Sequence, residues 1–271
     1  MIFQPPAPLA SELEERLPTA NRISLFLDFD GTLAPISADP SASQLEPETS
    51  GTLEQLSSED ALVMTIISGR AINDLRARIG LKNVIYAGNH GLEIQGHGFN
   101  FIEPVASASR ETLEQLCRGL SLGLRHIEGA VVECKGLTAS VHHRRAAEQD
   151  RPEIQQLVQA AVARQGALFR VSPGRKVFDI VPRTNWHKGA AVEWINGRLG
   201  EHDLLTIYLG DDTSDEDAFS VLPDAITIKI GEAAVTSARY QLPGPAAVQG
   251  FLRWLSQEMQ SESSPKLLNR Q

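Results

Sequence analysis

The chain has 271 residues, a net charge of −9 and 42% hydrophobic residues, which indicate a globular protein of one large or two modest domains. The negative charge argues against nucleic-acid or anionic-membrane partners, because either surface would repel it. No apolar run approaches the ~20 residues that span a bilayer, and the N-terminal segment lacks the features of a secretion signal. Cys117 and Cys134 are too few for a disulfide scaffold or a zinc site, so we expect a reduced, cytoplasmic location.

The first hundred residues alternate predicted strands with predicted helices. Short apolar runs that end in turn signals indicate buried strands, and apolar residues at helical spacing indicate the helices between them. In chain order we predict a helix over 11–17, a strand over 22–29, a helix over 47–59, a strand over 61–70, a helix over 71–80 that ends near Gly80, a strand over 83–94 and a hairpin over 91–102. This alternation predicts a parallel sheet with helices on both faces.

The middle of the chain breaks that alternation. We predict a helix over 107–120, strands over 130–136 and 138–145, a helix over 153–166 and strands over 168–174 and 175–182, which indicate an antiparallel α+β insert. The first pattern then resumes with a helix over 188–200, strands over 204–212 and 224–231, a helix over 246–259 and a loose polar tail. The predicted fold class is therefore α/β, with a doubly wound parallel-sheet core over 1–102 and 183–271 and a smaller inserted α+β domain over 103–182.

The stretch "FLDFDGTLAP" raises the question of function, because Asp28 and Asp30 lie side by side where a buried strand ends. Ligands of parallel sheets bind in the crevice outside the carboxyl ends of the strands, and alternate strand residues face the same side. Gly31 permits a sharp turn there, and Thr32 adds a hydroxyl. A plain strand-end turn is the alternative for this stretch taken alone.

Further strand ends favour the functional interpretation. "GDDTSDED" places Asp211, Asp212 and Asp215 just after another buried run. Several carboxylates in one crevice require a divalent cation or a retained proton, and hard oxygen ligands suit Mg²⁺. Ser68 in "IISGR" offers a hydroxyl beside backbone amides, and Lys188 lies near a helix start, where its charge suits a phosphate. These groups are the ones needed to transfer a phosphoryl group.

In this order, "DFDGT", "IISGR", Lys188 and "GDDTSDED" resemble the four motifs of the haloacid dehalogenase superfamily of phosphatases. The resemblance implies that Asp28 is the nucleophile that becomes an aspartyl phosphate. It implies that Asp30 protonates the leaving oxygen and later deprotonates the attacking water. Ser68 and Lys188 would hold the phosphoryl oxygens.

The same resemblance implies a magnesium site. Asp28, the backbone carbonyl of Asp30, and Asp211 would bind Mg²⁺, with Asp212 or Asp215 in support. Of these two supporting carboxylates, Asp212 is the one we assign to the metal.

Smaller motifs indicate the substrate. "YAGNHGLEI", "VECKGLTASVHHR", "GRKVFDIVP" and "GDDTSDEDAF" resemble the trehalose-6-phosphate phosphatase family, over residues 23–251. In that family an α/β cap closes over the disaccharide, so the insert is expected to be a substrate-specificity cap. The resemblance implies a small-molecule substrate, a phosphorylated disaccharide, bound by Gly69, Arg70, Asn89, His90, Glu133, Lys135, His142, Arg144 and Asp179.

Several of these positions have a structural alternative. Asn89 and His90 could simply form a turn, and Arg70 could cap its strand–helix turn. Glu133 and Lys135 share a strand face and could be an exposed ion pair. In "HHRR", only the first histidine and the first arginine share a face with the preceding serine, so the rest is expected to be a solvated strand end.

Asp179 departs from the family pattern, which usually has a glutamate at this place, so its carboxylate should fall more than about 1 Å short of a hydroxyl that glutamate would reach. A water could bridge the gap, the pocket could fit another sugar, or Asp179 could pair with Arg175 or Lys176. His187 also departs from the family and matches no chemical role. Two rival functions therefore stay open: a phosphatase for sucrose phosphate or a glycosyl-glycerate phosphate, and a regulator that binds a sugar phosphate without turnover.

Overall fold

The computed structural model describes residues 3–37, 43–174, 176–200 and 203–262 of the chain. The predictions for the tail beyond 262 and for Arg175 lie outside these described residues. The helices are α1 (Ala7–Arg16), α2 (Pro47–Ser57), α3 (Ile72–Ile79), α4 (Pro104–Ala108), α5 (Arg110–Leu124), α6 (Arg151–Ala163), α7 (Lys188–Leu199), α8 (Thr213–Val221) and α9 (Pro245–Glu262). The strands are β1 (Arg22–Leu27), β2 (Leu62–Ile67), β3 (Ile85–Gly88), β4 (Glu93–Gly96), β5 (Phe99–Ile102), β6 (Val131–Cys134), β7 (Ala139–His142), β8 (Phe169–Gly174), β9 (Val177–Pro182), β10 (Leu204–Gly210), β11 (Ile226–Ile230) and β12 (Tyr240–Leu242).

The larger sheet has β1 near its centre, in the order β12-β11-β10-β1-β2-β3-β4-β5. β1 pairs in parallel with both β10 and β2, and its last residue, Leu27, is aligned with Leu209 and Ile66. β11, β12 and β3 continue the parallel arrangement, and β4 returns antiparallel to β3. The predicted α/β fold class is confirmed, and the carboxyl ends of β10, β1 and β2 meet at one edge.

Both faces of the central strands are buried, which explains why their sequences are almost continuously apolar. On one face, Leu25 and Leu27 belong to a large apolar cluster that also contains side chains of α1, α2, α3 and α9. On the other face, the rings of Phe26 and Tyr208 stack with their centroids 6.1 Å apart, and Phe219 of α8 meets Tyr208 edge-on. The edge where the strands end is therefore supported by packing on both sides.

The smaller sheet has the order β6-β7-β9-β8, and its paired strands are antiparallel. One face packs against α5 and α6 through a cluster that includes Leu120, Val141, Val158 and Ile180. The apolar residues of α5 recur at helical spacing, so one side of the helix is buried and the other is exposed. The antiparallel α+β insert predicted from the sequence is present.

The chain divides into two compact units, residues 1–100 with 187–271 and residues 101–186. The larger sheet lies mainly in the first unit, and the smaller sheet lies in the second. Within the described ranges, no helix is both long enough and apolar enough to cross a bilayer.

Some elements differ from the predictions in extent. α1 starts four residues earlier than predicted, because proline is tolerated in the first turn of a helix, where its missing N–H has no partner to lose. β2 ends at Ile67, and the "SGR" segment after it forms a turn instead of continuing the strand. Gly80 ends α3 in the left-handed conformation with φ of 71°, as predicted. α4, α8 and β12 were not predicted, since all three are short and lack strong periodicity.

Candidate active site

The loop after β1 can turn sharply because Gly31 adopts a backbone conformation that other residues rarely take. Asp28 still extends the ladder, since its N–H donates to Leu209 O at 3.0 Å. Gly31 then adopts φ of 89°, and a Cβ there would lie 2.1 Å from Asp211 Oδ2. Glycine is therefore required both by the backbone conformation and by the approach of a carboxylate from the end of β10. The turn brings the two acidic strand ends together.

Three carboxylates form a buried cluster at these strand ends. Oxygens of Asp28, Asp211 and Asp215 all lie within 4.8 Å of one another. Burial, together with the Asp215 charge, raises the pKa of Asp211 to about 7. Burial also raises the pKa of Asp28, and the opposing effect of Lys188 is too small to cancel it. Several ionised carboxylates this close together repel one another unless a positive charge lies nearby.

Lys188 supplies part of that charge. Its Nζ donates to Asp28 Oδ1 at 2.8 Å and to Asp215 Oδ1 at 2.7 Å, and the side chain is buried. Burial alone would lower the pKa of Lys188, but the Asp215 and Asp28 carboxylates raise it above its ordinary value, so the amine stays charged. Lys188 is the first residue of α7, and His187 caps that helix by accepting from Ala190 N–H through Nδ1. The unexplained His187 thus has a structural role.

Asp215 and Asp212 occupy different environments. Asp215 Oδ1 also accepts from the Tyr208 hydroxyl at 2.7 Å, and Oδ2 accepts from Asp212 N–H at 2.9 Å. Asp212 is exposed, and its carboxylate accepts from Thr213 N–H at the start of α8. The two residues form a capping box that fixes the helix start against the cluster. Asp215, not Asp212, lies within the cluster.

The cluster fits a bound cation. Asp211 Oδ1 and Thr32 Oγ1 are buried and have no hydrogen-bond partner within the part of the chain that the structure describes. Buried polar atoms are nearly always paired, so an orphaned carboxylate oxygen indicates a missing partner such as an ion. Lys229 holds the same segment from behind, donating to the backbone carbonyl of Asp211 at 2.6 Å. These residues could therefore hold a metal ion.

The "SGR" turn and the "GNHG" corner pack on each other. Asn89 N–H donates to Arg70 O at 2.7 Å, and His90 N–H donates to Ser68 O at 2.8 Å. Asn89 and His90 have φ of 52° and 60°, a strained left-handed conformation that is held by these bonds. A Cβ on Gly69 would lie 2.6 Å from His90 Cε1, so the imidazole ring lies directly against the turn. The structure thus groups the predicted contacts Gly69, Asn89 and His90 beside Ser68.

Arg70 is placed on Asp30. Its Nε and Nη2 donate to the two carboxylate oxygens of Asp30, both at 2.6 Å. From the sequence, Arg70 was expected to contact the substrate or to cap its strand–helix turn, and this pairing with Asp30 was not predicted.

The second unit presents three of the remaining predicted residues, Glu133, His142 and Asp179, on one face of the smaller sheet. Glu133, Ser140, Asp179 and Ser172 are aligned across the four strands, and we call this row together with His142 the polar sheet face. Glu133 Oε2 accepts a hydrogen bond from His142 Nε2 at 2.8 Å. The Ser140 hydroxyl donates to Asp179 Oδ1 at 2.5 Å. The row brings together residues far apart in the sequence.

The residues next to this row behave differently. The expectation that the second histidine of "HHRR" lies at a solvated strand end is wrong, since His143 is buried and its ring stacks on Phe178 with centroids 4.8 Å apart. Arg144 follows β7 and is half-buried. Lys135 begins the turn between β6 and β7, where its N–H donates to Thr138 O. Lys176 pairs with Glu148 at 2.9 Å, so the predicted alternative partner of Asp179 is engaged elsewhere.

A sequence model of the trehalose-phosphatase family matches residues 26–245. The chain belongs to that family. Among similar proteins, the trehalose-phosphate phosphatase of Mycobacterium marinum is 36% identical over 251 residues, which are 89% of this chain and 63% of the relative. A probable trehalose-phosphate phosphatase 2 of Oryza sativa is 32% identical, covering 94% of this chain and 74% of its own. The chain thus spans just under two thirds of the mycobacterial relative's length.

Solved structures of trehalose-phosphatase type share the fold. A trehalose-6-phosphate phosphatase related protein superposes with a TM-score of 0.78 at 21% identity, covering 88% of this chain and 99% of its own. The C-terminal domain of the Candida albicans trehalose-6-phosphate phosphatase gives 0.77 at 22% identity, covering 94% and 99%. The resemblance to this family, identified from the motifs, is confirmed.

Sequence reasoning missed three supporting residues of this candidate site. Tyr208 holds Asp215, Lys229 holds the Asp211 carbonyl, and Asp74 holds Arg70 through Oδ2 at 2.8 Å. Tyr208 and Lys229 sit within apolar strands, where a buried polar side chain requires a partner. That requirement was the available signal, but the sequence does not identify the partner.

Proposed function

We propose that the chain hydrolyses trehalose 6-phosphate to trehalose and phosphate, as a step of trehalose biosynthesis. The observation that carries this proposal is the buried bridge from Asp28 through Lys188 to Asp215, in a chain of the trehalose-phosphatase family. A carboxylate held beside a buried ammonium is suited to attack an anionic phosphate ester, since the lysine offsets the repulsion.

In the first step, an Asp28 carboxylate oxygen attacks phosphorus and the bond to the sugar oxygen breaks. Asp30 gives its proton to the leaving oxygen, so the sugar departs as a neutral alcohol. The Ser68 hydroxyl and Lys188 hold the phosphoryl oxygens while charge develops on them. The product of this step is an aspartyl phosphate on Asp28.

In the second step, water attacks the phosphorus of the aspartyl phosphate. Asp30, now a carboxylate, takes a proton from this water, and the bond between phosphorus and the Asp28 oxygen breaks. Phosphate leaves, and Asp28 and Asp30 return to their starting states. The proton that Asp30 gave away in the first step is thus recovered in the second.

The proposed cofactor is Mg²⁺, held by Asp28, the backbone carbonyl of Asp30, and Asp211. The orphaned Asp211 Oδ1 and the acidic cluster support this assignment. Asp212 stays in the proposal as an outer ligand, whereas Asp215 already accepts hydrogen bonds at both of its oxygens. When bound, Mg²⁺ would offset the negative charge of the phosphoryl group and the carboxylates.

The proposed catalytic core is 1–102 with 183–271, and the proposed specificity cap is 103–182; the compact units, 1–100 with 187–271 and 101–186, support these limits. We assign the hydroxyl groups of the sugar to Glu133, Lys135, His142, Arg144 and Asp179 of the cap, together with Gly69, Asn89 and His90 of the core. The polar sheet face supports this assignment, because a row of paired donors and acceptors can discriminate among sugars. We propose no nucleic-acid or membrane partner for the chain. We also propose a cytoplasmic location, because the free thiols of Cys117 and Cys134 suit a reducing compartment.

The test is phosphate release from a panel of phosphorylated sugars with Mg²⁺. We expect trehalose 6-phosphate to give the highest kcat/KM. Preference for sucrose phosphate or a glycosyl-glycerate phosphate would transfer the assignment to that sugar, a result that the short Asp179 side chain makes worth testing. Tight binding of trehalose 6-phosphate without phosphate release would instead indicate a regulator.

A further inference from the structure

Asp30 needs a fixed orientation that its own loop does not supply. Its carboxylate is 36% exposed, on the turn between Asp28 and Ala34. An exposed aspartate on a turn samples several rotamers, whereas a proton-transfer group must point at one atom. Some neighbouring group has to select the orientation.

Arg70 is the group in contact with both oxygens of that carboxylate. A bidentate guanidinium fixes the plane of a carboxylate as well as its position, whereas an ammonium group fixes only the position. The Arg70 side chain is only 11% exposed, and its guanidinium lies 5.3 Å from the centre of the Phe29 ring.

Arg70 is in turn held from the outside. Its Nη1 donates to Asp74 Oδ2 at 2.8 Å, and Arg78 Nε donates to the same oxygen at 2.9 Å. Arg78 also donates to the Ser43 carbonyl. The chain of contacts runs from Asp30 through Arg70 to Asp74 and Arg78, so α3 serves as a rigid support for the loop after β1.

We propose that Arg70 is a positioning residue that orients Asp30 for proton transfer, with Asp74 as its anchor. The proposal rests on the proposed function, because Asp30 must be the group that exchanges the proton. It replaces direct substrate contact as the role of Arg70. Asp30 serves both half-reactions, but p-nitrophenolate leaves without needing a proton, so only the second half-reaction is sensitive when p-nitrophenyl phosphate is the substrate.

The experiment compares Arg70→Gln, Arg70→Lys and Asp74→Asn with the control Arg76→Gln, by rapid mixing with p-nitrophenyl phosphate and Mg²⁺. Arg76 is on α3, as Asp74 is, but its guanidinium lies over the Tyr86 ring, 5.5 Å from the ring centre. We expect steady turnover of Arg70→Gln to fall about 10–100-fold, since general acid–base catalysis contributes about 10²–10⁴-fold in total. KM should fall with kcat and leave kcat/KM little changed, because only the hydrolysis of the accumulated intermediate is slowed. Arg70→Lys should lose less, Asp74→Asn less again, and Arg76→Gln nothing.

The decisive signal is a burst. In Arg70→Gln the aspartyl phosphate should accumulate, so about one p-nitrophenol per site should be released before slow turnover begins. Added guanidinium should speed the turnover of Arg70→Ala. A raised KM with a lowered kcat/KM and no burst would make Arg70 a substrate contact and overturn the proposal. Equal losses in Arg70→Gln and Arg76→Gln would reduce its role to helix stability.

The two proposals fail in different ways. If the wild type hydrolyses p-nitrophenyl phosphate but not trehalose 6-phosphate, the substrate assignment fails and the Arg70 comparison is unaffected. If trehalose 6-phosphate is hydrolysed and Arg70→Gln shows no burst and full turnover, the role of Arg70 fails and the function survives.

Discussion

The crevice at the ends of β1 and β10 and the polar sheet face of the second unit use charge in different ways. In the crevice, Asp28, Lys188 and Asp215 are buried and joined at 2.7–2.8 Å. On the polar sheet face, Glu133 is 45% exposed and its partner His142 is 25% exposed. Buried charges interact strongly but cannot be left unpaired, whereas exposed pairs are screened by water. The buried arrangement suits the breaking of a bond. The exposed arrangement suits the binding of a ligand whose hydroxyl groups replace water on the sheet.

The contrast predicts that single changes cost far more in the crevice. Removing one member of a buried pair leaves an uncompensated charge, which costs about 3–5 kcal/mol, but exposed pairs contribute about 0–1 kcal/mol to stability. Changes on the polar sheet face should therefore affect substrate recognition without affecting folding.

The largest effect is expected from Asp28→Asn. An amide is too poor a nucleophile to form the acyl phosphate, so kcat should fall about 10⁴-fold or more while the asparagine oxygen can still accept from Lys188. Phosphate release and thermal unfolding would be measured together. Near-normal release by a folded variant would show that the bond is broken elsewhere.

Asp215→Asn tests the buried network directly. It removes the charge that Lys188, Tyr208 and the start of α8 share, so the free energy of unfolding should fall by about 3–5 kcal/mol. The matched control is Asp212→Asn, which should change the free energy of unfolding little, since Asp212 is exposed and asparagine caps a helix about as well as aspartate. Similar losses in both variants, by denaturant unfolding, would remove the distinction between the two aspartates.

Much of the crevice could be predicted from the sequence, because its residues come in short motifs at strand ends. Local backbone geometry places the side chains within "DFDGT" and within "GDDTSDED". Pairing of β1 with β10 in parallel then brings the two motifs to one edge of the sheet. The fork from Arg70 to Asp30 could not be predicted, because it depends on the rotamers of side chains 40 positions apart. The same holds for Tyr208, whose partner is set by the packing of α8 on the sheet.

The polar sheet face was predictable to a different degree. Strand alternation placed His142 with Ser140, but the alignment of Ser140 with Asp179 depends on the register between β7 and β9. The register between two strands is fixed by the turns and by burial of the opposite face of the sheet. A single sequence gives only a weak indication of either.

Without metal, the stability of the folded chain should depend on pH through Asp211. The folded pKa of Asp211, about 7, lies above its unfolded value, so without metal the folded state keeps a proton that the unfolded state releases. Stability should therefore fall as pH rises from about 4 to about 7. Mg²⁺ at about 100 times its Kd should add about 2.7 kcal/mol at the higher pH, and less at the lower pH, where protons compete.

The measurement is thermal unfolding of the metal-free chain with and without Mg²⁺, with Asp211→Asn as the control. The variant should lose both the pH-dependent decline and most of the Mg²⁺ effect, because it lacks the titrating carboxylate. A Tm that rises equally with Mg²⁺ in both proteins would place the metal elsewhere.

Glu133→Ala and Lys135→Ala should separate recognition from chemistry. Each lost charged hydrogen bond is worth about 1.5–3 kcal/mol, so kcat/KM for trehalose 6-phosphate should fall about ten- to a hundredfold. Hydrolysis of p-nitrophenyl phosphate should change little, since it has no sugar. Equal losses on both substrates would mean that these residues support the fold.

Asp179 gives the smallest expected effect and the sharpest test of the polar sheet face. Its Oδ1 accepts from the Ser140 hydroxyl, and it is aligned through Ser140 with Glu133, so we expect it to reach the sugar through a water or from a shifted position. Asp179→Ala should lower kcat/KM for trehalose 6-phosphate by about 1–2 kcal/mol, while Asp179→Glu, with the longer side chain, should retain or improve it. The control Glu148→Ala removes a carboxylate of the same unit that pairs with Lys176 instead. An unchanged kcat/KM in Asp179→Ala would place this residue outside the pocket, because a carboxylate that contacts the sugar even through a water cannot be removed without loss.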